Sequence, residues 1–421
     1  MNYKRLITLI GSICLILVLV VSFAFGCKAP PSAPTPPPAA PEIMTLKIGA
    51  TMPMSSPYGY NTEKAYRIIV DMFNKAGGLV VKGQRYNIEY ITYDDQYTAD
   101  GGRAGVERLI YRDGVIAIIG MVGSSPVLGA IPVTEAAKVI LMADCTTTNF
   151  LLPQYHYTFR TGESPVGQPA KFLSVLHAYP NVKTIAFMGP DDEAGHADAD
   201  AWTKVANTYG LKVLGSIFYP RGTTDFTTQA TKMASLNPDL VQFCSSEGGT
   251  DVGLQMKALR GAGYKGQPVQ TEVLNMDALK AVASDEVLEG LTGRIPADLA
   301  PVPNPLVKAF KAEWIKEYGE PFPRLAFGFM GAFYAFTAAV QKADSLNSDD
   351  IWNAMQGLEY DSLEGHCIMT KRPDFGVTRF ADCGAPMNFG RIIKGQIIWE
   401  YEVTAQEVID ASAKVRGGVW R

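Results

Sequence analysis

The chain has 421 residues, which is long enough for two or three ordinary domains. Hydrophobic residues make up 47% of it and charged residues 19%, a balance that excludes intrinsic disorder outside any biased segment. The formal net charge of -4 excludes the basic surface of a nucleic-acid-binding protein.

The N-terminus has the pattern of a secretory signal. Lys4 and Arg5 precede an uncharged run over residues 6–25, and Cys27 follows closely. A cysteine at this place resembles the bacterial lipoprotein box, in which cleavage precedes the cysteine and lipid is attached to it. We therefore predict a signal peptide over residues 1–26 and lipidation of Cys27. A retained transmembrane anchor is the alternative, since about 20 apolar residues can span a bilayer, and both readings place the remaining chain outside the cytoplasm.

A proline-rich spacer follows, with the sequence APPSAPTPPPAAP over residues 29–41. Proline fixes φ and lacks an N–H group, so this segment is expected to be extended and solvated. At about 3.1 Å per residue it would reach roughly 40 Å from a membrane. We predict that residues 27–44 are a tether.

From residue 46 onward, strand patterns alternate with helical patterns. The first series comprises strands at 46–50, 86–93, 115–119 and 139–142, with helices at 62–75 and 100–112. Every residue of 115–119 is apolar, which is typical of a parallel strand covered on both faces. A second series comprises strands at 184–188, 211–218, 240–243 and 269–270, with helices at 197–209, 226–235 and 251–260. Two such series predict an α/β protein with two doubly wound parallel-sheet lobes.

Later segments complete the predicted organisation. A crossing strand is expected at 157–161, apolar helices at 307–318 and 328–343, and a hairpin over 390–403. We assign residues 45–160 and 293–365 to lobe 1, and residues 161–292 and 366–421 to lobe 2. A multi-strand hinge is expected to join the lobes.

Three strand-to-helix loops of the first series are rich in small and hydroxylic residues. They cover residues 53–59, 120–126 and 143–149, and such loops meet at the carboxyl edge of a parallel sheet, where ligands bind. In the second loop, a serine N-cap followed by Pro126 predicts a helix whose free N–H groups favour an anion. Simple helix capping is the alternative, but the convergence of three loops favours a ligand site.

The order and spacing of these segments resemble the leucine/isoleucine/valine-binding proteins of branched-chain amino-acid ABC transporters, which are type I periplasmic binding proteins. The matching pieces are Ile48-Gly49 through Ser55-Ser56-Pro57, Ala76-Gly77-Gly78, Tyr93-Asp94-Asp95, Ile119-Gly120 with Ser124-Ser125, Thr148-Asn149, and Phe159-Arg160-Thr161. Nearly all of residues 46–403 take part. The resemblance implies no enzymatic activity, no cofactor and no metal, a monomer, and an ABC-transporter permease as the membrane partner.

The resemblance also implies roles for individual residues. In that family, a serine and a threonine loop of the first lobe hold the ligand's α-carboxylate, and an acidic residue of the second lobe binds its α-ammonium. The acidic role falls here on Glu272, and Tyr58 matches an aromatic residue that packs on the ligand. Ala194 and Ser246 stand where relatives carry aromatic walls, which predicts a larger or more polar pocket. The complete predicted set is Tyr58, Gly123, Ser124, Ser125, Thr146, Thr147, Thr148, Ser246 and Glu272.

Four cysteines lie beyond the predicted lipid site, namely Cys145, Cys244, Cys367 and Cys383. The last two lie close in sequence on either side of a turn-rich segment, and an oxidising compartment permits disulfides. We predict a Cys367–Cys383 bridge, which would contribute roughly 3 kcal/mol in the chain-entropy description.

Two further patterns are discounted. Residues 261–266 fit GxGxxG but follow a predicted helix rather than a strand, so they predict a helix end and not a dinucleotide loop. Asp191, Asp192 and Glu193 with His196 would suit a metal, but acids in the first turn of a helix are explained by its dipole.

We therefore predict an extracytoplasmic, lipid-anchored solute-binding protein of an ABC transporter. It would bind an amino acid, or a similar small carboxylate or amide, between two closing lobes. The alternatives are a ligand-sensing receptor module of the same fold and a binding protein for aromatic acids. An amidase-like enzyme is disfavoured, because the sequence has four histidines and no HExxH, GxSxG or Walker pattern.

Overall fold

The computed structural model describes residues 42–145, 147–161, 167–246, 249–295, 299–301, 304–320, 322 and 327–421. The predicted signal peptide, Cys27 and the tether as far as residue 41 lie outside the described residues. Residues Ile43–Arg421 form one compact unit. Across the part of the chain that is described, no helix is both long enough and apolar enough to cross a membrane.

The first sheet has six strands in the order β2-β3-β1-β4-β5-β6. They are β1 (Met44–Met52), β2 (Leu79–Val81), β3 (Gln84–Asp94), β4 (Ala117–Val122), β5 (Ile140–Asp144) and β6 (Thr158–Arg160). All pairs are parallel except the β2–β3 hairpin. Every residue of β4 and β5 is buried, as expected for strands that are covered on both faces.

The second sheet has seven strands in the order β16-β15-β11-β10-β9-β7-β8. They are β7 (Thr184–Pro190), β8 (Lys212–Tyr219), β9 (Leu240–Phe243), β10 (Gln267–Val273), β11 (Thr292–Arg294), β15 (Met387–Ile393) and β16 (Gln396–Val403). The run from β11 to β8 is parallel, and the C-terminal hairpin adds two antiparallel strands at one edge. The predicted hairpin around Lys394 is confirmed.

A small antiparallel sheet completes the strands, with β12 (Glu359–Ser362), β13 (Gly365–Arg372) and β14 (Val377–Gly384). The sequence patterns did not predict this sheet. Its strands, EYDS, GHCIMTKR and VTRFADCG, mix charged and polar residues with short apolar stretches, so they lack an apolar run like that of residues 115–119.

Helices follow most of the parallel strands. In chain order, the described α-helices are α1 (Pro57–Lys75), α2 (Ala99–Arg108), α3 (Ser124–Ala137), α4 (Gly167–Ala178), α5 (Glu193–Thr208), α6 (Thr227–Leu236), α7 (Thr250–Gly261), α8 (Met276–Lys280), α9 (Asp285–Leu288), α10 (Pro305–Tyr318), α11 (Gly331–Ala343), α12 (Ser348–Met355) and α13 (Ala405–Arg416). A π-helical turn (Leu109–Asp113) extends α2, and 3-10 turns occur at Thr148–Phe150, Phe327–Met330 and Pro373–Phe375. Helix α7 ends at Gly261 with Gly263 at a φ of 81°, so the GxGxxG segment is a helix end, as predicted.

Each large sheet has its own core. The core of the first sheet includes buried side chains of α10, α11 and α12, such as Trp314, Phe336 and Ile351. The second sheet is packed separately, and α13 lies against α4 and α5 beside it. The chain therefore passes between the lobes after β6, after β11 and after β14. This confirms the predicted α/β class with two lobes, while the lobe boundaries given above stay predictions.

Candidate functional site

The loop after β4 places Ser124 at the start of α3. Gly123 has a φ of 94°, a left-handed conformation that favours glycine and turns the chain sharply into the helix. The helix therefore begins at Ser124, and the expectation that a serine caps it is wrong. Because the Ser124 hydroxyl does not cap its own helix, its Oγ accepts a hydrogen bond from the backbone N–H of Thr147, at 3.2 Å.

The loop after β5 is closed by Thr147, whose side chain is fully buried. Its Oγ1 accepts the backbone N–H of Asn149 at 3.2 Å and so caps the short 3-10 turn. Its carbonyl accepts a hydrogen bond from Nη2 of Arg160 at 2.5 Å. The loops after β4 and β5 are thus joined by direct hydrogen bonds, and the predicted residues Ser124 and Thr147 lie together.

Glu193, at the start of α5 in the second lobe, contacts this loop across the cleft. Its Oε1 accepts hydrogen bonds from Oγ1 of Thr147 at 2.7 Å and from Nδ2 of Asn149 at 3.0 Å. The sequence suggested only a helix-dipole role for this residue. Its contact with the first lobe depends on the tertiary arrangement of the two lobes, which a local sequence pattern does not predict.

A second contact between the lobes lies farther along the cleft. The Arg221 guanidinium lies over the Tyr97 ring, 5.1 Å from its centroid, and its Nε donates to Oδ2 of Asp192 at 2.6 Å. Tyr97 has a φ of 58°, and its backbone N–H donates a hydrogen bond to Oδ1 of Asp95 at 2.9 Å. Burial raises the pKa of Asp95 to about 6. A buried carboxyl group therefore supports the loop that reaches the second lobe.

A cavity of about 300 Å³ lies between the start of α1 and the second sheet. This volume is at the lower end of the range of small-molecule sites. Its second-lobe residues are the last residues of β7 and β8 and residues that follow β8, β9 and β10, at the carboxyl edge where ligands bind in such sheets. The described lining residues are Pro57, Asn61, Pro190, Tyr219, Arg221, Gly222, Thr223, Thr224, Gly249, Thr250, Asp251, Leu254, Asn275 and Ala278.

Tyr219 supplies an aromatic wall that the sequence comparison did not predict. Its hydroxyl lies 3.4 Å from Oγ of Ser246, and Nε2 of Gln255 donates to both oxygens, at 3.1 and 3.3 Å. Burial raises the pKa of Tyr219 above its usual value, so the phenol stays neutral. Ser246 therefore lies behind an aromatic residue that lines the cavity, rather than forming an open gap there.

A buried ion-pair network supports the first-lobe loop from behind. Asp382 on β14 accepts hydrogen bonds through Oδ2 from Nη1 of Arg160 at 3.4 Å and from Nη1 of Arg372 at 2.6 Å. All three side chains are fully buried. Since Arg160 also donates to the carbonyl of Thr147, this network connects the small sheet to the loop after β5.

The network continues from the small sheet to the C-terminal helix. Arg372 and Arg416 both donate to Asp374, at 2.9 and 3.1 Å. Burial alone would raise the pKa of Asp374, but the hydrogen bonds and charges of the two arginines lower it below its usual value. The charged pairs therefore span from the first-lobe loop to α13.

Other predicted site residues are placed only in part. Ser125 lies in the first turn of α3, and the backbone of Tyr58 lies in the first turn of α1 beside the cavity residue Pro57. Thr146 and the side chains of Tyr58, Thr148 and Glu272 lie outside the described part of the chain. The ligand-binding roles of the whole set stay predictions.

Several cavity residues were missed by the sequence reasoning. Arg221, Asp251 and Asn275 follow β8, β9 and β10, in the same strand-to-helix position that drew attention to the loops of the first series. Applying that rule to the second series would have found them. Asn61 lies one turn into α1 and had no comparable signal.

The predicted disulfide partners lie on neighbouring strands β13 and β14. Both are buried free thiols in the structure, and a hydrogen bond with Cys367, together with burial, raises the pKa of Cys383. The interaction shows that the side chains are close, and the bridge stays a prediction. The acidic segment 191–193 binds protein groups, with His196 on Asp191 at 2.8 Å, and no metal-binding cluster occurs among the described residues.

Comparison with known proteins gives one family match. The profile of a family described as periplasmic binding protein matches residues 45–394. Among solved structures, a leucine-binding protein from Thermotoga maritima is 18% identical, with 86% of this chain and 99% of that chain covered and a TM-score of 0.69.

Two further structures contain ligands. A solute-binding protein of an ABC transporter from Rhodopseudomonas palustris, in complex with 3,4-dihydroxybenzoic acid, is 20% identical, with 86% and 98% coverage and a TM-score of 0.69. A branched-chain amino acid transporter substrate-binding protein from Streptococcus pneumoniae, in complex with isoleucine, is 18% identical, with 85% and 98% coverage and a TM-score of 0.66. At these identities the similarity establishes the fold.

Proposed function

Because the chain belongs to the periplasmic binding protein family and is a solute-binding protein of the ABC-transporter type, we propose that it binds a small amino acid or aromatic acid between its two lobes and delivers it to a membrane permease. The observation that carries the proposal is the cavity between α1 and the second sheet. It is bounded by both lobes, so a ligand within it would touch both and favour the closed state.

The composition of the cavity supports a ligand with polar ends and an apolar body. Pro190 and Leu254 supply apolar surface, and the neutral Tyr219 phenol supplies an aromatic face. Asn61 and Asn275 supply hydrogen-bonding groups from opposite lobes. An amino acid fits this description, and the aromatic face also favours a hydroxylated benzoic acid as a second candidate.

The family resemblance assigns the carboxylate of such a ligand to Ser124 and to the threonine loop, which are not among the described residues that line the cavity. The Ser124 oxygen accepts the Thr147 N–H, so its own proton is oriented away from that bond and can be donated to a ligand carboxylate. The amino group of an amino acid would be bound by Glu272, as the family resemblance implies. No covalent step is required, and we expect no catalytic turnover.

A thermal-shift screen tests the ligand class. The mature protein is heated with amino acids, hydroxybenzoic acids and the corresponding amides. A ligand at 100 times its Kd would add about 2.7 kcal/mol to the free energy of unfolding. Stabilisation by an amino acid or a hydroxybenzoic acid supports the proposal, and no stabilisation by any member at millimolar concentration contradicts it.

The place of action is extracytoplasmic, with Cys27 as the lipidated mature N-terminus. Cys27→Ala should block processing or release the protein from membranes. Mass spectrometry of the membrane fraction measures both. A variant that remains membrane-bound with normal processing would contradict lipidation of Cys27.

A further inference from the structure

The Glu193 carboxylate occupies two hydrogen-bond donors of the first-lobe loop, one of which is the Thr147 hydroxyl that the family resemblance assigns to the ligand. A threonine hydroxyl has one proton to donate. In Thr147 that proton is donated to Oε1 of Glu193 at 2.7 Å, while the oxygen accepts the N–H of Asn149. Thr147 therefore cannot donate at the same time to a ligand carboxylate.

The neighbouring donor is occupied in the same way. Nδ2 of Asn149 donates to the same oxygen of Glu193 at 3.0 Å. Arg160 contacts the loop at the Thr147 carbonyl rather than at the hydroxyl, so it does not replace the lost donor at that position. A ligand carboxylate at the hydroxyl would also meet the negative charge of Glu193, and like charges close together repel.

We propose that Glu193 is a latch between the lobes that competes with anionic ligand groups for the Thr147 and Asn149 donors. The proposal rests on the proposed function in assuming that the solute binds in this cleft. A carboxylate must displace Glu193, whereas an amine or amide N–H can donate to it. The latch therefore selects solutes that present an N–H donor at this loop over solutes that present only a carboxylate.

The matched variants are Glu193→Ala, Glu193→Gln and Asp191→Ala. Glu193→Ala removes both contacts with the first lobe, and Glu193→Gln keeps an acceptor oxygen but removes the charge. Asp191 is the control, because it is an exposed acid of the same turn whose side chain binds His196 of its own lobe. Thermal unfolding of each variant verifies folding.

Two measurements are made on the mature protein. Small-angle scattering without added ligand gives the radius of gyration, which reports opening of the lobes. Titration calorimetry then compares each acid with its amide, using L-isoleucine with L-isoleucinamide and 4-hydroxybenzoate with 4-hydroxybenzamide as probes.

Glu193→Ala is expected to have a larger radius of gyration than the wild type, and Asp191→Ala an unchanged one. The ratio of acid affinity to amide affinity should rise at least tenfold in Glu193→Ala, since hydrogen bonds to charged groups contribute roughly 1.5–3 kcal/mol. Glu193→Gln should raise the same ratio, because the repelling charge is gone.

Two results would overturn the proposal. An unchanged radius of gyration in Glu193→Ala would mean that the residue does not hold the lobes together. An equal loss of affinity for acid and amide would mean that Glu193 binds the ligand itself. If no probe binds the wild type or any variant, the proposed ligand class fails, and the scattering result still decides whether Glu193 is a latch.

Discussion

Asp382 is the residue whose charge the buried network depends on most, because it lies between two arginines. Its Oδ2 is 2.6 Å from Nη1 of Arg372 and 3.4 Å from Nη1 of Arg160, and all three side chains have no solvent exposure. Asp382→Asn keeps the size of the side chain and removes its charge. The buried Arg160 guanidinium would then lose this carboxylate, whereas Arg372 would keep its ion pair with Asp374.

The expected cost follows from the energetics of buried pairs. Removing one partner of a buried ion pair costs about 3–5 kcal/mol, because the remaining charge is left uncompensated in a medium of low polarity. For a domain of about 150–250 residues, each kcal/mol lowers Tm by roughly 2–4 °C. We therefore expect Asp382→Asn to lower Tm by roughly 6–20 °C.

Differential scanning calorimetry without ligand measures this effect. Asp361→Asn is the control, because Asp361 belongs to the same small sheet but its side chain is 78% exposed and pairs with His366. A change within about 0.5 kcal/mol is expected there. A Tm for Asp382→Asn as close to the wild type as that of the control would refute the importance of the network.

Four further outcomes are expected. Ser124→Ala should weaken ligand binding by roughly 1–3 kcal/mol in titration calorimetry, the cost of leaving a buried charged group short of a hydrogen bond. Glu272→Gln should weaken binding of aminated ligands far more than of acids without an amine, and equal losses would remove this residue from the site. Burial raises the pKa of Asp95 from an ordinary 3.8 to about 6, so the folded state favours the protonated carboxyl group. The stabilisation of the folded state by this group is therefore present at low pH and is lost as the pH rises through about 6. In the wild type, the free energy of unfolding should therefore fall by an amount on the order of 2–3 kcal/mol between about pH 4 and pH 7. This fall should be absent in Asp95→Asn, and a pH profile of that variant identical to that of the wild type would contradict the reasoning. Peptide mapping without reductant should recover Cys367 joined to Cys383, and either residue in another bridge would exclude the pair.

Much of the fold could be predicted because its parallel strands have recognisable patterns of apolar residues in their own short segments of sequence. Residues 115–119 are apolar throughout, and the structure has a fully buried strand at Ala117–Val122. Helix α1 begins at Pro57 rather than at residue 62, because proline suits the first helical position and the apolar face starts only later. The small sheet was missed, since its strands carry no such run.

The candidate site could be predicted only where its parts lie on one sheet edge. Ser124 and Thr147 follow adjacent strands, and the structure places the Ser124 Oγ 3.2 Å from the Thr147 nitrogen. The contacts that Glu193 and Arg221 make between the lobes could not be predicted in the same way. These contacts, with Thr147 and Tyr97, join residues of different lobes, so they depend on the tertiary arrangement and not on spacing in the chain.

The most direct test of solute binding between the lobes is a calorimetric titration of the mature protein with the best ligand from the thermal-shift screen. The expected result is one ligand bound per chain, with affinity reduced in Asn61→Ala on the first lobe and in Asn275→Ala on the second, because both residues line the same cavity. Unchanged affinity in either variant would place the ligand on one lobe alone and contradict binding between the two.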